Sequence, residues 1–297
     1  MLKLVSLASG SKGNATLILS DKSALLVDAG VSYSRLCQEL DGFGLTPSML
    51  DGVVITHEHA DHIKALPKLC EACKIYAHPL TAKAVYDRQG ALKNVAKVDN
   101  YEGGFAVGNI NVLPFRIPHD AEYPLAYSFE SDGARCSVAT DIGVPTHGVL
   151  RNIKDSEVVL LESNHDITML KEGSYPWHLK TRILSDKGHL SNDATARIVK
   201  RLVGQSNVKH LILGHISENN NTEELAFNTV KSALLGAPAN APVCGVNHGA
   251  PTNAPVCGVN HGAPTNAPVC GVNEMQDSVI SLHIAHQNRR SEVFEIK

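Results

Sequence analysis

The sequence predicts an α/β sandwich with helices on its outer faces. Apolar runs of strand length are mixed with helical patterns in both halves of the chain, and turn-forming residues separate them. The strand spacing is too irregular for an eight-fold barrel. In order, strands are expected at residues 2–7, 15–19, 25–28 and 53–56, divided by Ser9-Gly-Ser-Lys-Gly-Asn14 and Asp41-Gly-Phe-Gly44. Helical periodicity follows at 33–40, 62–73 and 80–88. The middle is strand-rich, at 110–115, 126–130 and 135–139. Further on come a strand at 158–162, then one at 211–214 that leads into a helix over 223–235. A terminal strand followed by a polar, Arg-containing tail is expected over 278–297.

A chain of 297 residues, 43% hydrophobic and 19% charged with net charge −3, can bury a substantial core. No window approaches the roughly 18 to 20 consecutive apolar residues of a membrane span. The start, Met1-Leu-Lys-Leu-Val-Ser-Leu7, breaks into Ser, Gly and Lys too soon for a signal-peptide core and reads as a first strand. A cytoplasmic protein without a membrane partner is the inference; oligomeric state is not legible. The acidic balance means that nucleic acid would need a local basic patch. Seven cysteines make no disulfide framework: Cys37 and Cys136 are isolated, and Cys73 of the Cys70/Cys73 pair shares a helical face with Leu66 and Leu69. Core packing is expected there.

One stretch departs from this texture. Residues 240–252 recur identically as 253–265 and, truncated, as 266–273. Each copy is rich in Pro, Gly and Asn and too short to form a solenoid unit. Cys244/His248 and Cys257/His261 offer metal ligands, but Glu274 replaces the histidine beyond Cys270. A tolerated duplication in a surface loop is the simpler reading. The expectation is one domain over 1–297 with a low-complexity insert at about 240–273.

The chemistry centres on His57-Glu-His59-Ala-Asp61-His62, directly after an apolar strand. Three imidazoles and a carboxylate on so short a loop cannot all serve one tetrahedral ion. They can serve two adjacent ions if His57/His59 and Asp61/His62 point apart, and imidazole with carboxylate suits zinc, manganese or iron. Further ligands are expected where polar residues break apolar runs at strand ends: His119, Asp141 and His215.

In these residues the chain resembles the metallo-β-lactamase-fold hydrolases, a four-layer αβ/βα sandwich with a two-metal site. The resemblance implies that His57, His59 and His119 hold one divalent ion (Zn²⁺ or Mn²⁺), that Asp61, His62 and His215 hold the other, and that Asp141 bridges them. A hydroxide shared by the ions would be the nucleophile. Downstream, Glu162, then Gly188-His-Leu-Ser191 leading into a helix, then His215 resemble the phosphodiesterase branch that includes ribonuclease Z. That likeness makes His189 the residue that steadies the phosphate or protonates the leaving oxygen, with Glu162 orienting it. His189, Glu162 and Asp61 form the candidate catalytic set.

A phosphate role also has independent support. Ser191 or Asn192 is a natural N-cap, with Ala194, Ile198 and Leu202 as the buried face of the following helix. A helix N-terminus attracts anions, and Lys180, Arg182 and Lys187 form a local basic rim before it. Asn14, His165, Ser191, Asn192 and Lys187 are the candidate substrate contacts. His165 remains open between a second-layer partner, a substrate contact and a further imidazole near the metals. Ser11-Lys-Gly-Asn14 lacks the order of a nucleotide loop and reads as a turn.

Over nearly its whole length the chain resembles the YycJ (WalJ) family of bacterial metallo-β-lactamase-fold nucleases. The resemblance rests on residues 7–14, 26–30, 56–62, 162–166, 187–192 and 214–220. Membership implies metal-dependent phosphodiester cleavage, with 5′-exonuclease activity on DNA as the expectation. The alternatives are a small-molecule metallo-hydrolase acting on a cyclic phosphodiester, thioester or lactam, and a non-catalytic metal-dependent regulatory module. Lactam and thioester chemistry have no evident need for His189 beside a basic rim.

Overall fold

The computed structural model describes residues 1–99, 103–236 and 280–296; the repeat at 240–273, with its cysteines and histidines, lies outside the described residues. The first half supplies β1 (Leu2–Ala8), β2 (Ala15–Ser20), β3 (Ala24–Val27), α1 (Tyr33–Asp41), β4 (Gly52–Val54), α2 (Ala60–Ile63), α3 (Leu66–Leu69), β5 (Ile75–Ala77), α4 (Pro79–Gln89) and β6 (Val95–Lys97). There follow β7 (Phe105–Val107), β8 (Ile110–Arg116), β9 (Leu125–Ser131), β10 (Ala134–Ala139), α5 (His147–Ile153), β11 (Val158–Glu162), α6 (Ile167–Glu172) and α7 (Trp177–Leu184). The described chain closes with α8 (Asn192–Leu202), β12 (His210–Gly214), α9 (Glu223–Leu235), β13 (Ser281–Ile284) and β14 (Phe294–Ile296).

The strands form two seven-stranded sheets, ordered β14-β1-β2-β3-β4-β5-β6 and β13-β12-β11-β10-β9-β8-β7. In each, hairpin-connected strands pair antiparallel, and the run reached by helical crossovers (β3 to β6, β10 to β13) is parallel. Successive strand residues point to opposite faces, which explains the uninterrupted apolar runs. Leu4, Ile18, Leu25, Val54, Leu160 and Ile212 meet between the sheets. Their neighbours Val5, Leu17, Leu26 and Val53 pack outward with α1 and α3, while Val159, Leu161 and Leu211 pack outward with α5, α8 and α9. Two sheets inside and helices outside give the expected four layers. Each fully buried Leu or Ile contributes about 1.5–3 kcal/mol of burial, and that core fixes the separation of the loops above it.

Three expectations are corrected. The helix read over 62–73 is two single turns, α2 and α3, because Pro67 cannot continue the first and starts the second. Cys70 and Cys73 still pack in the core, and burial raises the Cys73 thiol to about 11. The C-terminal segment does not end in a tail: after β13 it crosses to the other sheet, where β14 pairs antiparallel with β1. The strand over 53–56 stops at Val54, although Ile55 still donates to Tyr76 O across the sheet edge.

Candidate metal centre

The parallel strands β3, β4, β10, β11 and β12 release their chains at one rim of the sandwich. Asp28, His57, Asp141, Glu162 and His215 stand at or just past their C-terminal ends. Three of these, Asp28, Asp141 and His215, have left-handed backbones with φ of 59°, 61° and 54°. That conformation costs a non-glycine residue about 1 kcal/mol or more and persists only where the surroundings enforce it. Here they do: Asp28 N–H donates to Val54 O (3.0 Å), and His215 N–H donates to Ser9 Oγ (2.8 Å).

His57 Nε2 lies 3.0 Å from His59 Nδ1, which lies 3.2 Å from His119 Nε2. Ligands about 2.0–2.1 Å from a tetrahedral ion stand about 3.3 Å apart, so this is the spacing a tetrahedral edge requires. A second group joins Asp61, His62 and His215; Asp61 Oδ2 lies 3.5 Å from Nε2 of both histidines. Asp141 lies between the groups. Its Oδ2 is 3.4 Å from His62 Nε2, and its Oδ1 is 3.5 Å from His215 Nε2 and 3.8 Å from His119 Nε2. The seven expected ligands therefore come together, divided as His57/His59/His119 and Asp61/His62/His215 about Asp141.

Two observations test whether this set fits cations. Asp141 Oδ2 is buried and has no hydrogen-bond partner among the described residues, a costly state unless a cation meets it. Beyond that, four histidines direct one ring nitrogen inward and tie the other down. His57 Nδ1 meets Thr56 Oγ1 (3.0 Å), His62 Nδ1 donates to Asp28 Oδ2 (2.7 Å), His119 Nδ1 donates to Gly188 O (3.0 Å), and His215 Nδ1 meets Glu162 Oε1 (3.1 Å). Metal-binding histidines are oriented in this way. The donors are nitrogen and oxygen only, which suits zinc or manganese. The residues fit the group.

The electrostatics follow the same division. Burial drives His57, His59 and His119 below the ordinary imidazole range, leaving lone pairs for a cation. Burial also disfavours charge on His62 and His215, but Asp141 and Asp61 outweigh it and hold both up, His215 to about 10. The carboxylates are likewise disfavoured by burial, yet the imidazoles around them hold Asp61 and Asp141 well down and Glu162 at about 2.

Glu162 is fully buried at the end of β11. Its Oε1 accepts from His189 Nδ1 at 2.7 Å, and the His189 ring stacks 5.2 Å from that of His215. No hydrogen bond engages His189 Nε2 among the described residues, and the side chain is 14% exposed. Of the candidate substrate contacts, Lys187 is exposed. Ser191 caps α8, accepting from Ala194 N–H, and Ala194, Ile198 and Leu202 are buried as expected. Asn192 is buried and spends its amide inside the protein, accepting from Ser163 Oγ and donating to Asn221 Oδ1. Asn14 is buried against the centre, with Nδ2 3.3 Å from Asp61 Oδ2 and 3.1 Å from His62 Nε2. His165 is buried with neither ring nitrogen bonded, and burial pushes it down to about 4. Lys180 is no part of a basic rim: it is buried, and its Nζ donates to Lys171 O at 2.6 Å.

Sequence reading missed three supporting residues. Asp28 accepts from Thr56 N–H and Oγ1 as well as His62, and Asn164 Nδ2 donates to His215 O at 2.9 Å. Asp28 carried a usable signal, since it breaks an apolar run at a strand end as Asp141 does. Thr56 and Asn164 carried none beyond proximity to the motifs.

A family model described as a Beta-lactamase superfamily domain matches residues 24–216. The exodeoxyribonuclease WalJ of Streptococcus pneumoniae is 37% identical over 240 residues, covering 78% of this chain and 87% of the relative. The exodeoxyribonuclease YycJ of Bacillus anthracis is 36% identical over 231 residues, covering 77% and 87%. Among solved structures, the metallo-beta-lactamase fold protein YhfI of Bacillus subtilis superposes with a TM-score of 0.60 at 15% identity, covering 78% of this chain and 92% of that one. The matched stretch contains the whole histidine and aspartate cluster, and the two sheets with flanking helices are those of the metallo-β-lactamase fold. This chain belongs to the WalJ/YycJ family of the beta-lactamase superfamily.

Proposed function

We propose that the chain is a dinuclear metal-dependent phosphodiesterase, a single hydrolase domain that removes nucleotides from 5′ ends of DNA. The observation that carries the choice of phosphodiester chemistry is the Glu162–His189 pair, 2.7 Å apart beside the metal ligands. The relatives' exodeoxyribonuclease names favour DNA as the polymer.

Divalent cations held by His57, His59, His119, Asp61, His62, His215 and Asp141 would lower the pKa of bound water to about 7 and neutralise phosphate charge. The chain's own groups do the rest. Glu162 accepts from His189 Nδ1–H, and its charge offsets that of the doubly protonated imidazolium, whose Nε2–H faces the reacting phosphate. As the P–O bond breaks, Nε2 meets the leaving oxygen and supplies its proton. Asp28 and Gly188 O keep His62 and His119 turned inward while charge shifts at the centre.

The test is cleavage of 5′- and 3′-labelled single- and double-stranded DNA and RNA with added Mn²⁺ or Zn²⁺. The parent should shorten DNA progressively from the 5′ end. Asp61→Ala and His189→Ala should each lose about 10²-fold or more in turnover. Turnover of a thioester or β-lactam with no cleavage of any polynucleotide would overturn the reading.

A further inference from the structure

The helix α7 contributes nothing to the metal ligands, yet it is fastened to them. His189 N–H donates to Ile183 O (3.1 Å), Gly188 N–H donates to Ser185 O (2.9 Å), and Gly188 O holds His119. A Cβ on Gly188 would lie 2.1 Å from Ile183 O, so no larger residue allows this approach. In the last turn of the helix, Arg182 Nε and Nη2 donate to the two oxygens of Asp120 (2.5 and 3.0 Å), and Asp120 Oδ1 is 3.4 Å from His119 Nε2. The guanidinium is thus held in one orientation at the lip of the centre while its side chain stays 45% exposed. No other protein acceptor meets its remaining N–H groups among the described residues.

The first residue of the same helix is Trp177, the only tryptophan in the chain and 75% exposed. An indole so open to water on a helix is a face without a partner among the described residues. Trp177 and Arg182 are five positions apart, about 7.5 Å along the axis and about 140° around it, on the two flanks of the face opposite buried Lys180 and Ile183. Resting on the nuclease reading above, we infer that α7 is a strand-binding arm: Arg182 takes a phosphate next to the scissile one, and Trp177 stacks on an unpaired base further along a strand that crosses the exposed face of the helix. Asp120 acts as a positioning residue that pre-orients the Arg182 fork. A planar indole accepts any base, so the arm grips without reading sequence.

With a single tryptophan, intrinsic fluorescence reports on this subsite alone. The full-length, Mn²⁺-loaded protein is titrated with a phosphorothioate-linked single-stranded dodecamer, and steady-state cleavage of the ordinary oligonucleotide is measured in parallel. Trp177 emission should be quenched saturably. By anisotropy of a labelled oligonucleotide, Trp177→Ala should weaken binding about 5- to 100-fold at an unchanged melting temperature, and Trp177→Phe should restore most of it. Arg182→Gln should reduce the slope of log K against log salt by about 0.7 to 1. A parent that cuts DNA with undisturbed Trp177 emission, or a Trp177→Ala variant with parental KM, overturns the arm and leaves the nuclease reading standing. Emission shielded from iodide in the free protein would mean that another part of the chain covers the indole, which also overturns it. A parent that neither binds nor cuts DNA overturns both readings together.

Discussion

Replacing Glu162 by Gln is the sharpest perturbation of the proposed acid. The carboxylate accepts four hydrogen bonds: His189 Nδ1 (2.7 Å) and His215 Nδ1 (3.1 Å) on Oε1, and the backbone N–H groups of Ile142 (2.7 Å) and Leu190 (3.2 Å) on Oε2. The backbone donors cannot reverse, so a glutamine must turn its oxygen to them and its NH₂ to the two imidazoles. His189 then has to accept at Nδ1, so it holds a single proton and no carboxylate offsets the imidazolium that acts as the acid. Loss of a tautomer-fixing carboxylate lowers turnover by up to about 10⁴-fold, so Glu162→Gln should cost about 10²- to 10⁴-fold in kcat with KM little changed.

Stability should fall as well. Two charge-assisted bonds, each contributing about 1.5–3 kcal/mol, are replaced by weaker contacts in a site with no solvent. At about 2–4 °C per kcal/mol for a domain of this size, the metal-free variant should melt roughly 10 °C lower. The assay is kcat and KM on 5′-labelled DNA, with metal content measured on the same preparation. A variant with full metal content and kcat within about threefold of the parent would refute the pairing argument. The comparison is made at metal saturation, because loss of the Glu162 contact to His215 is itself expected to weaken metal affinity about 10- to 100-fold.

The remaining expectations separate the parts of the site. Asp28→Asn removes the charge that orients His62 and should weaken metal affinity about 10- to 100-fold, read by chelator competition, while the metal-saturated kcat changes little. Metal removal by a chelator should lower the melting temperature, because a cation at about 100 times its Kd stabilises by about 2.7 kcal/mol. Gly188→Ala should lower metal affinity and kcat together, since its Cβ meets Ile183 O and displaces both the carbonyl on His119 and the start of His189; parental values for either would refute this. Burial pushes His165 down to about 4, whereas the unfolded chain titrates near 6.5. Between those values the unfolded state binds more protons, so stability climbs with pH and levels off above about 6.5, by up to about 3 kcal/mol. Urea melts at pH 4.5 and 7.5 should show His165→Phe losing part of that dependence, and an identical dependence in both proteins would refute it.

The metal cluster was legible because its residues interrupt strongly patterned surroundings. His57 to His62 are neighbours in sequence, and Asp141 and His215 stand where apolar strands stop, so local pattern alone marks them. Asp28 bears the same mark, but its importance depends on reaching His62 across 34 residues, which no local pattern encodes. The helices α5, α6 and α7 span two turns or so, too short for a 3.6-residue period to declare itself. The Lys180 charge is visible in sequence, whereas the Lys171 carbonyl that receives it is not. Pairing of β14 with β1, fixed in part by Lys3 and Glu295 across 292 residues, is a consequence of packing and has no sequence-local sign.

The division of labour between the sheets explains why these variants should separate. The first sheet delivers the compact loop from His57 to His62 together with Asp28, which tunes how firmly cations are held. The second delivers Asp141, Glu162, His189 and His215, the groups proposed to place charge and proton beside a phosphate. His119 ties the two sets together: it leaves the second sheet after β8, completes the His57/His59 group, and takes its orientation from Gly188 O, one residue before His189. By these contacts Asp28 is expected to bear on affinity through His62, Glu162 on turnover through His189 and on affinity through His215, and Gly188 on both through His119 and His189. The same junction anchors α7, so a strand bound along that helix would pull on the peptide that sets His119 and His189. If the proposed arm holds, binding along α7 and alignment at the phosphate would be coupled through that one short backbone segment, with no need for a moving lid.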